Sequence, residues 1–274
     1  MPLRSARESS IVHAIMAANT DTRPGVGTLP WAQQTLGALR GRERFALAAQ
    51  AVRMQAGLAA GLLFRRGRVA CDVASVQPPD SDLARKAADL CASVSTAHLF
   101  NHCCRAYLWS RILADAYRIR FDDELLYAAC MLHDLGLTPA YSGCARHAQC
   151  FTLDSVEGAM AWARDAGWDA QRQDALAEAI LLHMNVTVGP DHGAEAHLLH
   201  EAAGLDCLGL RAWEIHRATR DAVVARHPRA AFKPFLIERF SAEAVQRPAC
   251  RSAFLIRYLM FRPMVRFAPF ADNP

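Results

Sequence analysis

The chain has 274 residues, of which 52% are hydrophobic and 21% charged, so it is long enough to bury a sizeable core. Its net charge of +4 is spread along the sequence rather than collected in basic blocks, which argues against a nucleic-acid partner. No apolar run is long enough to cross a bilayer, and residues 1–20 lack the continuous apolar stretch of a secretory signal. We therefore expect no stable membrane association. Nine cysteines, an odd number, suggest no disulfide framework and favour a cytoplasmic location.

Helical patterns dominate the sequence, and strand-like alternation is scarce. Both observations predict an all-α fold. The predicted N-terminal extension, residues 1–80, contains an amphipathic helix at 5–18 and one or two helices between Trp31 and Arg65. A helical core is expected at 81–215. Additional helices over 216–274 are expected to pack on that core.

The stretch 125–138 predicts an apolar helix that ends in a His-Asp pair. Helical spacing places His133 on the same buried stripe as Cys130. Gly136 is expected to end the helix, which puts Asp134 in its last turn. A carboxylate there faces the negative end of the helix dipole, so a cation held by both side chains would turn an unfavourable arrangement into a binding site. Taken alone, the pair is better explained by a packed histidine beside a solvated aspartate.

Further ionisable residues fall on or at the ends of otherwise apolar predicted helices, in the order His102, His133-Asp134, His183 and Asp206. Such groups are costly to bury unless they are paired or bind a metal. Several such residues on separate helices are stronger evidence for a shared site than one residue alone. Nitrogen and carboxylate ligands without a thiolate suit Zn, Fe, Mn or Co. The pattern therefore predicts a site for a divalent metal ion.

The order of these residues resembles the HD superfamily of all-helical, metal-dependent hydrolases. Residues 101–107 resemble the family's His-x-x-Arg segment, and residues 128–136 are close to its central His-Asp motif. Residues 156–159, followed by 179–183, and the closing helix at 199–209 resemble the cyanamide hydratase-like branch. The resemblance covers roughly the predicted core, and it implies an HD-domain helical bundle with additional N- and C-terminal helices.

The resemblance also implies roles for individual residues. The implied metal ligands are His102, His133, Asp134 and Asp206. Asp134 would serve as both ligand and base, and His183 would contact the substrate or the activated water, or bind a second metal. Arg105 would contact an anion or support the ligands. One metal is favoured over two because Glu157 stands where two-metal relatives carry a histidine, although His147 could reach the site from a loop.

The expected function is a metal-dependent, cyanamide hydratase-like hydrolase or hydratase that uses activated water against a small molecule. Asp154-Ser155 stands where that branch usually has Phe-Glu, which leaves the substrate open; residues 154–157 also have the form of a capping box. An HD phosphohydrolase acting on a nucleotide or phosphate ester, a di-iron HD oxygenase and a non-catalytic HD binding module are the alternatives. The basic, apolar helix predicted at 249–261 is expected to pack on the core or against a second copy of the chain.

Overall fold

A computed structural model describes residues 25–64 and 67–272, so the helix predicted at 5–18 lies outside the described residues. Within those ranges the chain forms twelve α-helices, and the single strand-like contact there is a bridge between Val69 and Ile215. The all-α prediction is therefore confirmed. No helix of the described part is long and apolar enough to cross a membrane. The predicted division near residues 80 and 215 stays a prediction.

The helices are numbered here in chain order. Two precede the predicted core: α1 (Leu29–Thr35) and α2 (Gly41–Phe64). Six form the centre: α3 (Asp82–Val94), α4 (Ala97–Tyr117), α5 (Asp123–Leu132), α6 (Phe151–Asp165), α7 (Ala170–Leu182) and α8 (Ala194–Leu208). Four complete the chain: α9 (Arg217–Arg226), α10 (Phe232–Gln246), α11 (Arg251–Tyr258) and α12 (Phe261–Phe267).

Side-chain caps begin the two helices whose C-terminal ends carry site histidines. At the start of α5, Asp122 accepts a hydrogen bond from the backbone N–H of Leu125 at 3.0 Å. At the start of α7, Asp169 accepts one from Arg172 at 2.8 Å. Each cap satisfies a backbone N–H that has no partner within its helix, a contribution of about 1 kcal/mol. The beginnings of both helices are thus fixed by local sequence.

Helix α5 lies at the centre of the core. Every residue from Leu125 to Leu132 is buried, as expected for a helix that is apolar on all sides. Helices α4 and α8 pack against it and against each other, and α4 contributes the buried side chains of Trp109 and Ile112. Polar side chains at the end of α5 therefore enter an environment from which water is largely excluded.

The first and last helices form two further apolar clusters against this core. Phe240 of α10 and Phe261 of α12 stack with ring centroids 4.6 Å apart, in a cluster that includes Phe151. Trp31 of α1 packs in a separate cluster with Val186. Both clusters border the candidate site, so the terminal helices help to enclose it.

The predicted end of the His-Asp helix is wrong by one turn. Helix α5 stops at Leu132, His133 is its C-cap, and a 3-10 turn over Leu135–Leu137 follows. Gly136 serves a different purpose from a helix cap, because a Cβ there would lie 2.1 Å from the carbonyl oxygen of Phe151. Glycine is needed for the close approach of this turn to α6.

The predicted capping box at Asp154 is also wrong, because α6 already begins at Phe151. The Asp154 carboxylate is buried and accepts hydrogen bonds from the backbone N–H groups of Gly143 and Ala145, both at 3.0 Å. Arg247 of the C-terminal region pairs with it at 2.6 Å. Asp154 thus fastens a loop and the C-terminal helices to α6, a long-range role that sequence spacing does not reveal.

Candidate metal centre

Three side chains converge where α4 passes the end of α5. His102 Nε2 lies 3.2 Å from His133 Nε2 and 3.6 Å from Asp134 Oδ2. His133 Nε2 lies 3.3 Å from the same carboxylate oxygen. All three residues are buried, and in the described part of the chain they form the one group of three His, Cys, Asp or Glu whose ligand atoms all lie within 4.8 Å of one another. They could hold one metal ion.

Hydrogen bonds orient the two imidazoles of this group. His133 Nδ1 lies 2.9 Å from the carbonyl oxygen of Cys130, and His102 Nδ1 lies 2.7 Å from Asp206 Oδ2. Because each acceptor fixes the proton on Nδ1, both Nε2 atoms present lone pairs to the shared space. Two such lone pairs 3.2 Å apart repel each other, and a cation between them removes that repulsion. The donor set therefore fits a divalent metal.

The protonation states agree with this assignment. Burial alone would raise the pKa of Asp134, but the imidazoles of His133, His102 and His183 hold it well below its usual range. Burial lowers the pKa of His102, which keeps that ring neutral despite Asp206. For His133, the opposing effect of Asp134 exceeds that of burial and raises the pKa. The site thus favours a positive charge next to the Asp134 carboxylate, which is ionised. Carboxylates bind metals in this ionised form.

His183 stands at the edge of the group, as the C-cap of α7. Its Nε2 lies 3.7 Å from Asp134 Oδ1, and its ring centroid lies 4.9 Å from that of His133. Its Nδ1 donates to the carbonyl oxygen of Ile180 at 2.6 Å, which leaves Nε2 without a proton. Burial lowers the pKa of His183 to about 3, so the ring is neutral at physiological pH.

The structure places Asp206 on the opposite side of the His102 ring. Its carboxylate accepts hydrogen bonds from Arg105 Nε and Nη2 at 2.8 and 2.9 Å, from Trp109 at 3.1 Å and from Arg229 at 3.2 Å, besides the contact to His102 Nδ1. Asp206 lies outside the group of three, and direct metal binding by this residue stays a prediction. In the structure it orients His102.

Two buried arginines hold that carboxylate in place. Arg105 also donates from Nη1 to the carbonyl oxygens of His227 and Pro228, at 3.0 and 3.1 Å. Burial would raise the pKa of Asp206, but Arg105 and Arg229 keep it far below its usual range. Arg105, predicted to contact an anion or support the ligands, contacts the anion of Asp206 and lies behind the candidate ligands.

Sequence reasoning did not select three residues of this region. Arg229 lies outside the segment that carried the resemblance, and a single arginine after a His-Pro step has no local signal. Helical periodicity places His200 off the face of Asp206, yet His200 is buried with Nδ1 3.2 Å from the carbonyl oxygen of His183. Cys207 Sγ lies 4.0 Å from His102 Nε2. His147, which the sequence suggested could reach the site from a loop, is exposed, and so is Glu157, which stands where two-metal relatives carry a histidine.

A cavity of about 90 Å³ borders the candidate metal group. Helix α2 contributes Ala51 and Met54 to its wall, and His183 and His200 also line it. The C-terminal helices contribute six apolar side chains: Leu236, Phe240, Leu255, Leu259, Phe261 and Met264. Among the described residues that line the cavity there is no lysine or arginine. The cavity therefore combines a polar end with largely apolar, uncharged walls.

Comparisons with known proteins bear on the same region. Residues 99–221 match the family model of the HD domain, a span that contains the three converging residues together with His183 and Asp206. Two cyanamide hydratases of Saccharomyces cerevisiae, DDI2 and DDI3, are each similar to this chain, with 28% identity over 158 residues. The similar region covers 57% of this chain and 70% of each relative.

Proposed function

We propose that this chain adds water to the carbon–nitrogen triple bond of a small, cyanamide-like molecule, because residues 99–221 match the HD-domain model and two cyanamide hydratases are similar to the chain. The observation that carries this proposal is the contact between an uncharged cavity and the group formed by His102, His133 and Asp134. The similarity to two cyanamide hydratases supports the same reaction type.

His102, His133 and Asp134 would hold one divalent ion, with Zn, Fe, Mn and Co all suited to nitrogen and oxygen donors. Such an ion polarises a water molecule and lowers its pKa towards neutrality. The protein supplies the orientation of the ligands. Asp206 and the ring of Phe232, stacked on His102 at 4.7 Å, hold one imidazole, and the Cys130 carbonyl holds the other.

Hydration needs a proton to move from water to the substrate nitrogen. The water oxygen bonds to the nitrile carbon, one carbon–nitrogen π bond breaks, and the nitrogen is protonated, which gives an isourea from cyanamide. A proton then moves from the hydroxyl oxygen to the nitrogen, and urea forms. His183 is suited to this transfer because Nε2 is unprotonated and faces the polar end of the cavity.

A phosphate ester fits the site less well. Phosphate carries negative charge that proteins usually neutralise with arginine or lysine. The buried arginines near the cavity have other partners: Arg105 and Arg229 bind Asp206, and Arg251 donates to the carbonyl oxygen of Leu181 and to Asn185. The di-iron alternative would need further ligands, and exposed His147 does not supply one in this conformation.

Two measurements test this proposal. We expect elemental analysis of the purified protein to find one divalent metal per chain, and His133→Ala to lose it. We expect urea to form from cyanamide, with no release of phosphate from nucleotides or generic phosphate esters. Equal metal content in both proteins, or phosphate release without hydration, would contradict the proposal.

The cellular setting forms part of the same proposal. All nine cysteines are free thiols, which supports a reducing, cytoplasmic location. The proposed partner is a small-molecule substrate. Apolar side chains of α11 and α12 lie in the two clusters beside the core, which supports the expectation that the last helices pack on it.

A further inference from the structure

We propose that the substrate carries an apolar substituent of about three to six carbon atoms, and that unsubstituted cyanamide is a poor substrate. This inference rests on the proposed function, which it narrows to one class: N-alkylcyanamides and nitriles of similar size. It follows from the volume of the cavity, the chemistry of its walls and the position of its polar groups.

The cavity is too large for cyanamide alone. A single water needs roughly 10–15 Å³ of such space, so about 90 Å³ holds roughly six to nine groups of that size. The N–C≡N unit has only three non-hydrogen atoms. Cyanamide would leave most of the cavity to water or empty, whereas an attached alkyl chain would fill it.

The walls around this extra space favour hydrocarbon. Leu236 and Phe240 of α10 are buried, and Phe261 of α12 is fixed by its stacking on Phe240. Leu259 and Met264 extend the same surface. A polar group placed against these side chains would lose its hydrogen bonds to water, whereas each apolar group would gain by leaving water.

The available polar groups fix which end of the substrate faces the metal group. Asn185 lines the cavity, but its amide is engaged by the carbonyl oxygen of Val26 and by Arg251. Besides the three candidate ligands, His183 and His200 are the buried polar residues among the described residues that line the cavity. The triple bond is therefore directed to that end, and the alkyl chain lies along the C-terminal helices.

A chain-length series tests this inference on the unaltered holoenzyme. The probes are cyanamide and N-alkylcyanamides from methyl to octyl, each hydrated to the corresponding alkylurea. We expect kcat/KM to rise about fourfold for each added methylene up to the butyl to hexyl range. It should then fall for octyl, which exceeds the cavity. A maximum at cyanamide, or no dependence on chain length, would overturn the inference while leaving the proposed function intact.

A cavity-filling variant provides an independent readout. In Met264→Trp the added ring occupies space used by the chain, so the ratio of kcat/KM for butylcyanamide to that for methylcyanamide should fall at least tenfold. Met160→Trp is the matched control, because Met160 is partly buried against the main core and does not line the cavity. An equal fall of the ratio in both variants would contradict the inference that Met264 forms the part of the cavity wall that contacts the alkyl chain.

If no nitrile is hydrated, calorimetry with the urea products still tests the inference about the cavity. That result would remove the proposed function, yet binding of urea, ethylurea and butylurea can still be measured. We expect affinity to rise with chain length by the same factor per methylene, and Met264→Trp to abolish the rise. Affinities independent of length would overturn the substrate class itself.

Discussion

Two buried carboxylates lie on opposite sides of the His102 ring, and their surroundings differ. Asp206 accepts five N–H contacts at 2.7 to 3.2 Å, from His102, Arg105, Trp109 and Arg229. The oxygens of Asp134 lie 3.3 to 3.7 Å from imidazole nitrogens, at the limit of hydrogen-bond length or beyond it. Protein side chains therefore neutralise the charge of Asp206, whereas the charge of Asp134 is available to a bound cation.

The difference comes from the partner side chains. Arginine is charged at every physiological pH and binds a carboxylate through two N–H groups, so Arg105 compensates Asp206 permanently. An imidazole compensates Asp134 only while it carries a second proton, a charge that it loses as the pH rises, and with Nδ1 alone protonated it offers a lone pair. One aspartate is thereby suited to hold structure and the other to bind a metal.

The largest effect is expected from Asp134→Asn. Loss of the charged ligand should abolish metal binding and lower activity by more than about 1,000-fold, since a bound metal supplies several kcal/mol of charge stabilisation. The metal-free protein at pH 8 should nevertheless be as stable as the unaltered one or more stable, because a buried, poorly compensated charge is removed. Elemental analysis, steady-state kinetics and urea denaturation with a chelator measure the three quantities. A clear loss of metal-free stability would remove the contrast with Asp206.

Asp206→Asn should give the opposite pattern. Removing this charge leaves Arg105 and Arg229 buried without their anionic partner, so the free energy of unfolding should fall by about 3 kcal/mol. Metal affinity should fall about 10- to 100-fold, as for other residues that orient a ligand histidine. Denaturation of the metal-free protein and metal titration check both values. Complete loss of metal with unchanged stability would instead support direct binding by Asp206, as the resemblance implies.

His183→Gln should lower kcat about 100-fold, because a proton-transferring group is lost while the three candidate ligands remain. Metal content should stay at the level of the unaltered protein. Glutamine retains an N–H and similar size, so a folding defect is not expected. Loss of the metal together with activity would reassign His183 as a ligand.

The smallest effect, when it is expressed per pH unit, concerns the acid stability of the metal-free protein. The folded state keeps His183 neutral down to about pH 3, whereas the unfolded chain binds a proton near the ordinary pKa of 6.5. The corresponding stability is present above pH 6.5 and is lost as pH falls towards 3, by at most about 1.4 kcal/mol per pH unit. The slope of unfolding free energy between pH 6.5 and 4 should therefore be smaller in His183→Gln. Identical slopes would show that this histidine is protonated in the folded state.

Local sequence was sufficient to predict that the chain is helical and that the His-Asp pair follows a buried helix, although not where α5 ends or α6 begins. Helix α8 includes residues 199–208 of the predicted closing helix and ends before Gly209, and the apolar run before His133 places that side chain at the end of a buried helix. Asp206 shows the limit of such reasoning. Its spacing along the helix predicts that its side chain lies on a buried face. The spacing does not predict the pairing of its carboxylate with Arg229, because that arginine lies on a separate segment of the chain.

The cavity could not be predicted for a similar reason. Its walls come from residues far apart along the chain, such as Met54 and Phe240, and helical patterns do not specify which apolar faces leave a gap. Gly136 is a related case: the sequence suggests a helix end, whereas the need for glycine arises from the approach of Phe151. Close approaches between distant segments have no signature in local composition.

The reactive centre and the apolar wall of the cavity come from different parts of the chain, which has a practical consequence. The candidate metal group and His183 lie before residue 184, whereas the wall formed by Leu236, Phe240 and Met264 lies after residue 231. Substrate range can therefore be redesigned by changing these wall residues within the final three helices, while the reactive centre, Arg229 and Phe232, which stacks on His102, are kept. A library confined to these wall positions would evolve selectivity separately from turnover chemistry.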